Sequence, residues 1–346
     1  MSEYDAGPVA ALRRIAFLLE RAREDTYKVK AFRGAAATIL PLSPAELERH
    51  VAEGTLTDLP GIGASSAKVV SAAVRGEVPE RLAKAERDLA GPLTDGGAGE
   101  ELRSRLRGDL HSHSDWSDGG SPLEEMAFTA IELGHDYLVL TDHSPRLKVA
   151  HGLSAERLTR QLDVVDAVNT HLSGTGFTLL KGIEVDILDD GALDQTDEML
   201  DRLDVRVASV HSKLAMDAAA MTRRMVNAIR NPRTNVLGHC TGRLVTGGRG
   251  TRAPSQFDAH AVFEAAAEHD VAVEINSRPE RRDPPTALLE LARDAGCVFS
   301  IDSDAHAPGQ LDFLVLGCER AEAAGIDADR IVNTWPQERL LGWARQ

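Results

Sequence analysis

The sequence predicts an α/β protein in which a parallel barrel follows a small all-α domain. Residues 1–90 read as helices joined by short turns, a glycine-rich run follows, and after residue 107 short apolar strands alternate with longer helical patterns. Apolar strands separated by helices imply a parallel sheet covered on both faces. Six or seven such units over residues 109–346 imply a barrel.

The elements follow in order. Ser43-Pro44-Ala45-Glu46 is a capping box with proline at the first helical position. The run from Gly91 to Gly99 is a linker by composition, and 91–108 is expected to connect the two domains. A first strand is expected from Asp109 to His113. A helix over 121–134 should open at Ser121-Pro122-Leu123-Glu124 and stop at Gly134. Further strands are expected over 137–140, 178–183, 205–210, 235–237, 271–275 and 298–301, with helices over 155–172, 257–269 and 286–295.

Composition narrows the function. Hydrophobic residues make up 42% and charged residues 27%, which excludes a disordered or fibrous chain. No apolar run approaches the roughly 18 residues of a membrane span, and from the acidic start, Met-Ser-Glu-Tyr-Asp, secretion is not expected. Three cysteines, Cys240, Cys297 and Cys318, form neither a disulfide framework nor a metal motif and fit a reducing cytoplasm. The net charge of −15 is uneven. Residues 1–108 hold 16 basic and 16 acidic side chains, and 109–346 hold 23 and 38. An acidic body is a poor non-specific ligand for nucleic acid, so the neutral N-terminal part is the better docking candidate.

Nearly every expected strand ends in a histidine or a carboxylate. The motifs are Asp109-Leu110-His111-Ser112-His113 with Asp118 just beyond, Thr141-Asp142-His143, Gly182-Ile183-Glu184, Val210-His211, Gly238-His239, Glu274-Ile275-Asn276 and Asp302-Ser303-Asp304-Ala305-His306. The C-terminal strand ends of a parallel barrel converge on one face. Six histidines (111, 113, 143, 211, 239 and 306) with Asp118, Glu184 and Asp304 would therefore share one cup. Imidazole with carboxylate suits zinc, manganese or iron, and nine ligands suit two or three ions. His50, His135, His151, His171, His260 and His269 lie on helix or loop patterns and are left structural.

In order, these motifs resemble those of the polymerase and histidinol phosphatase (PHP) domain, as found at the C-terminus of bacterial family X DNA polymerases. The resemblance covers 109–346, including the closing Asn333-Thr334-Trp335-Pro336-Gln337-Glu338-Arg339. It implies a distorted seven-stranded β/α barrel with three divalent metal ions. Carried over, His111, His113, Glu184 and Asp304 hold one ion. Glu184, His211 and His239 hold a second, and Asp118, His143 and His306 the third. Cys240 follows His239 as a spectator thiol.

Leu59-Pro60-Gly61-Ile62-Gly63, followed by Ala67-Lys68-Val69-Val70 on a helix, is a tight turn whose backbone N–H groups can hold a phosphate. It resembles a helix-hairpin-helix, and the upstream Tyr27-Lys28-Val29-Lys30-Ala31-Phe32-Arg33 resembles the small N-terminal domain of DNA polymerase beta. Gly61, Gly63 and Lys68 are the candidate DNA-backbone contacts. Val69 stands where that family's lyase nucleophile would be a lysine, so lyase activity is not expected. The linker runs directly into the metal domain, which leaves no room for a polymerase palm.

The expected activity is metal-dependent hydrolysis of phosphate esters at nucleic-acid ends, in particular DNA 3′ ends. Arg243 and Arg278 are candidate phosphate clamps, and Arg249 and Arg252 lie in a glycine-rich loop within reach. Two alternatives stay open. One is a histidinol-phosphatase-like enzyme for small molecules. The other is a DNA-binding accessory protein with structural metals. No membrane contact is expected, and no protein partner is deducible.

Overall fold

The computed structural model describes residues 7–247 and 250–345 and divides into two compact units at Pro92/Leu93. The described residues of the first unit form five α-helices, α1 (Gly7–Arg21), α2 (Thr26–Ile39), α3 (Pro44–Glu53), α4 (Ala64–Val74) and α5 (Glu80–Leu89). Ser43 caps α3: Glu46 N–H donates to its hydroxyl, and its own N–H donates to the Glu46 carboxylate at 2.9 Å. Leu12, Ile15, Leu19, Phe32, Ile39, Val70 and Leu82 form the core. Within it Arg33 clamps the buried Glu20 with two bonds of 3.0 and 2.8 Å.

The second unit begins with α6 (Glu100–Arg105) and continues as β1 (Gly108–Ser112), α7 (Leu123–Glu132), β2 (Tyr137–Leu140), α8 (Ala155–His171), β3 (Thr178–Asp186), α9 (Asp197–Leu200) and β4 (Val205–Ser209). It ends with α10 (Ala218–Ile229), β5 (Val236–Leu237), α11 (Ala259–Glu268), β6 (Ala272–Asn276), α12 (Thr286–Asp294), β7 (Phe299–Asp302), α13 (Leu314–Ala323) and α14 (Gln337–Ala344). The seven strands are parallel and lie in sequence order. The barrel is nearly closed. A parallel bridge joins Ser112 to Ala305, and side chains fill the rest of the seam. Leu110 N–H donates to Asp302 Oδ1 at 3.0 Å, and Ser303 N–H donates to Asp109 Oδ1 at 3.2 Å. Burial, together with the charge of Asp302 on Asp109, pushes both facing carboxyls above the usual carboxylate range. The β1–β2 register slips between Asp109 and Ser112. Such a bulge bends the strand next to a site, here immediately before His113.

Three local expectations are corrected. The segment expected as a linker over 91–108 is folded from Leu93 onward. Leu102 and Leu106 are buried in the barrel core, and Glu322 on α13 caps α6 by accepting from Gly99 N–H at 2.9 Å. Ser121 is not a helix cap. Pro122 holds that position, and the Ser121 carbonyl accepts from Asp115 N–H at 2.9 Å. Helices α10 and α13, which the periodicity did not single out, cover the barrel alongside the expected ones. No helix among the described residues is long and apolar enough to cross a membrane.

Arg103 on α6 donates to His135 Nε2 at 2.9 Å. Burial, then the Arg103 charge, pushes that imidazole down to about 3. Its folded value lies below its unfolded one, so the unfolded chain takes up the proton first. This contribution is complete above about pH 6.5 and is lost as pH falls toward 3. Between pH 7 and pH 5 the expected loss is about 2 kcal/mol. Denaturant melts of wild type and His135→Gln at both pH values test it. Equal pH sensitivity in the two proteins would refute the assignment.

Candidate metal centre

The ligands arise where strands end. His111 lies on β1 and His113 directly follows it, with ring centroids 5.1 Å apart, and the following loop brings Asp118 back. In that loop a Cβ on Gly119 would lie 2.6 Å from the Ser114 backbone, so only glycine lets the chain fold over itself. His143 and Glu184 follow β2 and lie within β3, joined by a parallel bridge. His211 and His239 follow β4 and β5. Asp304 takes a left-handed φ of 51° just after β7, which turns Asp304 and His306 toward the same cup.

All nine expected ligands meet there. Glu184 lies at the centre and is 1% exposed. Its Oε1 is 2.8 Å from His239 Nε2 and 3.2 Å from His211 Nε2. Its Oε2 is 2.9 Å from His143 Nδ1, 3.4 Å from His111 Nε2 and 3.6 Å from His113 Nε2. Asp304 Oδ1 is 3.5 Å from His113 Nε2 and 3.9 Å from His111 Nε2. Asp118 Oδ1 is 3.3 Å from His143 Nε2 and 3.4 Å from His306 Nε2. Two donors about 2.1 Å from a tetrahedral zinc lie about 3.4 Å apart, and most of these separations are compatible with that spacing. Three groups stand out among the described residues: His113, Asp118, His143 and His306; His111, His113 and Asp304; His143, Glu184 and His211. His113 and His143 each belong to two groups, where the resemblance gives each a single ion.

The chemistry of the donors fits metal. His111 Nε2 and both nitrogens of His113 are buried without a hydrogen-bond partner, which an ion would supply. Burial, then the His306 and His143 charges, holds His113 well below the usual imidazole range, in the neutral form that ligates. Burial alone would raise Glu184, but the surrounding imidazolium charges of His211, His111 and His143 hold it well below the usual carboxylate range. Asp304 is likewise held down against its burial, chiefly by Arg281 and His111.

An outer ring orients the ligands. His111 Nδ1 donates to Glu274 Oε1 at 2.5 Å, and His211 Nδ1 donates to Asp186 Oδ1. Each bond leaves Nε2 facing the cup. Asn276 Nδ2 and Arg281 Nε donate to Asp304 Oδ2 at 3.1 and 3.0 Å, which leaves Oδ1 for the ion. Asp142 accepts from Ser114 N–H, the Ser114 and Ser117 hydroxyls and Gln161 Nε2, bracing the loop that carries Asp118. Sequence reasoning assigned none of these four acids and amides a role, nor Arg281. Asp186 had a signal, since it shares a strand face with Glu184. Glu274, Asn276 and Asp142 stood inside quoted motifs, and Arg281 had no signal.

The expected arginines divide. Arg278 Nη1 lies 2.9 Å from His306 Nδ1 at the edge of the cup, and the Asp304 carbonyl, 2.9 Å from the same nitrogen, can take its proton and leave Nε2 for an ion. Arg243, expected as a clamp, directs Nε and Nη2 to the carbonyls of Arg281 and Arg282, which makes it a loop brace. Arg252 Nε donates to the Gly242 carbonyl at 2.6 Å, and Arg249 lies outside the described residues. In the N-terminal unit Gly61 turns at φ 77°, Gly63 caps α4 in an extended conformation with nothing near its absent Cβ, and Lys68 is exposed. Val69, at the lyase position, is buried.

Residues 109–278 match the PHP domain and residues 6–77 a helix-hairpin-helix domain. The chain is 38% identical over 229 residues to the DNA polymerase/3'-5' exonuclease PolX of Bacillus subtilis, covering 66% of this chain and 39% of that protein. It is 29% identical over 250 residues to a probable phosphatase of Tolumonas auensis, covering 68% of this chain and 93% of the relative. The crystal structure of histidinol phosphate phosphatase from Lactococcus lactis, complexed with zinc, L-histidinol and phosphate, superposes with a TM-score of 0.46 at 17% identity, covering 64% of this chain and 95% of that one. Within the C-terminal unit, residues 109–278 are a PHP domain. The chain spans about two-fifths of the length of the Bacillus polymerase.

Replacing an outer carboxylate while sparing the ligands tests the ring. Asp186→Asn leaves His211 in place but weakens the acceptor for its Nδ1 proton. Metal affinity is expected to fall about 10–100-fold, read by competition with a chromogenic chelator. An affinity equal to wild type would show that Asp186 does not position His211.

Proposed function

We propose that this PHP-domain protein hydrolyses phosphate esters at nucleic-acid ends, in particular DNA 3′ ends, by 3′-5′ exonuclease or 3′-phosphatase action and without incorporating nucleotides. The observation that carries the reading is the coexistence, in one chain, of a nine-ligand metal cup and a helix-hairpin-helix turn. The 3'-5' exonuclease name of the Bacillus relative supports it. The first unit runs into the barrel unit at Pro92/Leu93, with no palm between them.

The nine ligands would hold three divalent ions of the zinc, manganese or iron class. Such ions, when bound, supply a hydroxide nucleophile near neutral pH and neutralise charge on phosphoryl oxygens. The protein's own residues do the rest. Glu184 and Asp304 hold their donor oxygens fixed through the imidazoles, Asn276 and Arg281. Asp186 and Glu274 keep protons on the outer nitrogens of His211 and His111. Arg278, at the cup edge, would meet a phosphoryl oxygen. In the other unit, Ile62 is buried and anchors the turn, while Gly61 and Gly63 are exposed and let a DNA phosphate approach the backbone. Lys68 would add a charge contact. Buried Val69 offers no amine for a Schiff base.

A second reading, a small-molecule phosphatase of the histidinol-phosphate type, is favoured by the Tolumonas relative. That protein is named a probable phosphatase, and this chain covers nearly its whole length. An activity panel separates the readings. The metal-replete protein should carry two to three ions by elemental analysis, lose activity on chelation, and turn over 3′-phosphorylated or single-stranded DNA faster than histidinol phosphate. Gly63→Val should raise KM for DNA roughly tenfold more than KM for p-nitrophenyl phosphate, since only backbone approach is blocked. Faster turnover of histidinol phosphate than of any DNA end would establish the second reading. Metal-loaded protein inert on every ester would leave only an accessory role.

A further inference from the structure

Two loops beside the metal cup reverse the charge of the domain that carries them. Residues 109–346 hold 23 basic and 38 acidic side chains, yet the described residues of 238–257 and 277–282 together hold five arginines and one acid, Glu280. The loops are joined into one surface. Leu244 and Arg252 form an antiparallel bridge with bonds of 3.0 and 2.9 Å, and Val245 N–H donates across to the Glu280 carbonyl at 2.7 Å. Asp283 accepts from the Thr241 hydroxyl at 2.7 Å and from Arg243 N–H at 3.2 Å, so the second loop is fixed to the first. At the inner edge, Arg278 and Arg281 touch the ligands His306 and Asp304. At the outer edge, Arg252 and Arg282 are exposed. The fold uses the carbonyl of Arg282, which accepts from Arg243, rather than its guanidinium.

A single scissile phosphate is served by the inner arginines alone. Arg252 and Arg282 lie on the same rigid surface but outside the cup, where a phosphomonoester of a small molecule has nothing for them to hold. A nucleic-acid strand does, because its phosphates continue beyond the one being cleaved. Resting on the proposed nucleic-acid reading, we infer that these joined loops are a strand-binding platform. Arg252 and Arg282 contact the backbone phosphates next to the reacting one, and the barrel itself grips the strand independently of the helix-hairpin-helix.

The test uses the full chain and a twelve-nucleotide single strand with a 5′ fluorophore. Binding is read by anisotropy in EDTA, so that no cleavage intervenes. Hydrolysis is read as the ratio of kcat/KM for the strand to that for bis(p-nitrophenyl) phosphate. R252A/R282A should weaken binding roughly tenfold at low salt and reduce the slope of log affinity against log salt by about 1.4, or about 0.7 for each single-strand phosphate contact. The kcat/KM ratio should fall by a similar factor, and R252K/R282K should restore most of it, because backbone contact needs charge rather than a fork. Arg282→Ala alone, which removes no hydrogen bond of the loop, should give about half the change in slope. Wild-type cleavage of the strand with unchanged slope and ratio in these variants would overturn the platform and leave the proposed function standing. Wild-type protein that neither binds nor cleaves the strand would overturn both.

Discussion

The carboxylate of Glu184 is the constraint on which the site depends. It is buried, and five imidazole nitrogens approach its two oxygens within 3.6 Å. A lone carboxylate in that position would carry a large desolvation cost. It is tolerable only because every side of it faces a partner that carries or accepts positive charge. Those partners come from β1, β2, β4 and β5 or the loops that leave them, so the carboxylate can be satisfied only if the barrel brings these strand ends together. β3 is suited to hold it. Thr178 to Lys181 pair with β2 and Gly182 to Asp186 pair with β4, so one strand joins both halves of the sheet. The backbone N–H of Glu184 donates to Thr141, and its carbonyl accepts from Ser144, which ties it to the strand end that carries His143.

The cup is poor material for a hydrophobic core, and the barrel separates the two. Leu110, Val139, Val207, Val236 and Ala272 pack with Trp335 and Trp343 in one fully buried cluster, while the ligands occupy the strand ends. Between them lies a layer of buried acids that has no part in the apolar core. Asp109 and Asp302 close the β1–β7 seam through backbone N–H groups and Asn333, where the ladder itself is incomplete. Buried imidazole nitrogens without partners make the unloaded cup a place where stability is given up. Ions that bind only the folded chain return that stability by linkage.

That these nine side chains would meet was legible in the sequence because a parallel barrel gives a simple rule, that strand ends share a face. Nine residues obey it. What the sequence did not reveal is the company each ligand keeps. Arg243 and Arg281 are both arginines on loops after strands, and nothing in their spacing says that one braces carbonyls while the other grips Asp304. Glu274 sits two residues before Asn276 on one strand face, yet its role as acceptor from His111 depends on β6 lying across the barrel interior from β1. Glycine content misled at 91–108, where tertiary burial of Leu102 and Leu106 overrides a linker-like composition. A serine before a proline misled at Ser121, because the loop uses its carbonyl rather than its hydroxyl.

An acidic body and the proposed polyanionic substrate look incompatible until the charges are placed. Of the nine ligands six are imidazoles, neutral when they coordinate, and only Asp118, Glu184 and Asp304 bring negative charge. Two divalent ions already outweigh three carboxylates, and a third widens the difference, so a loaded cup is locally positive whatever the net charge of the chain. The outer acids Glu274 and Asp186 take back two of these charges, because the imidazoles that donate to them are neutral, so the excess stays positive with three ions. Arg278 and Arg281 add to the positive side at the rim. The acidic residues that set the net charge, such as Asp163, Asp166, Glu264 and Glu290, lie on helices that cover the barrel wall, away from the strand ends. Field lines therefore favour an anion at the cup and disfavour it on the walls. That distribution suits the proposed function, in which a phosphate enters the cup and the acidic walls stay free of nucleic acid.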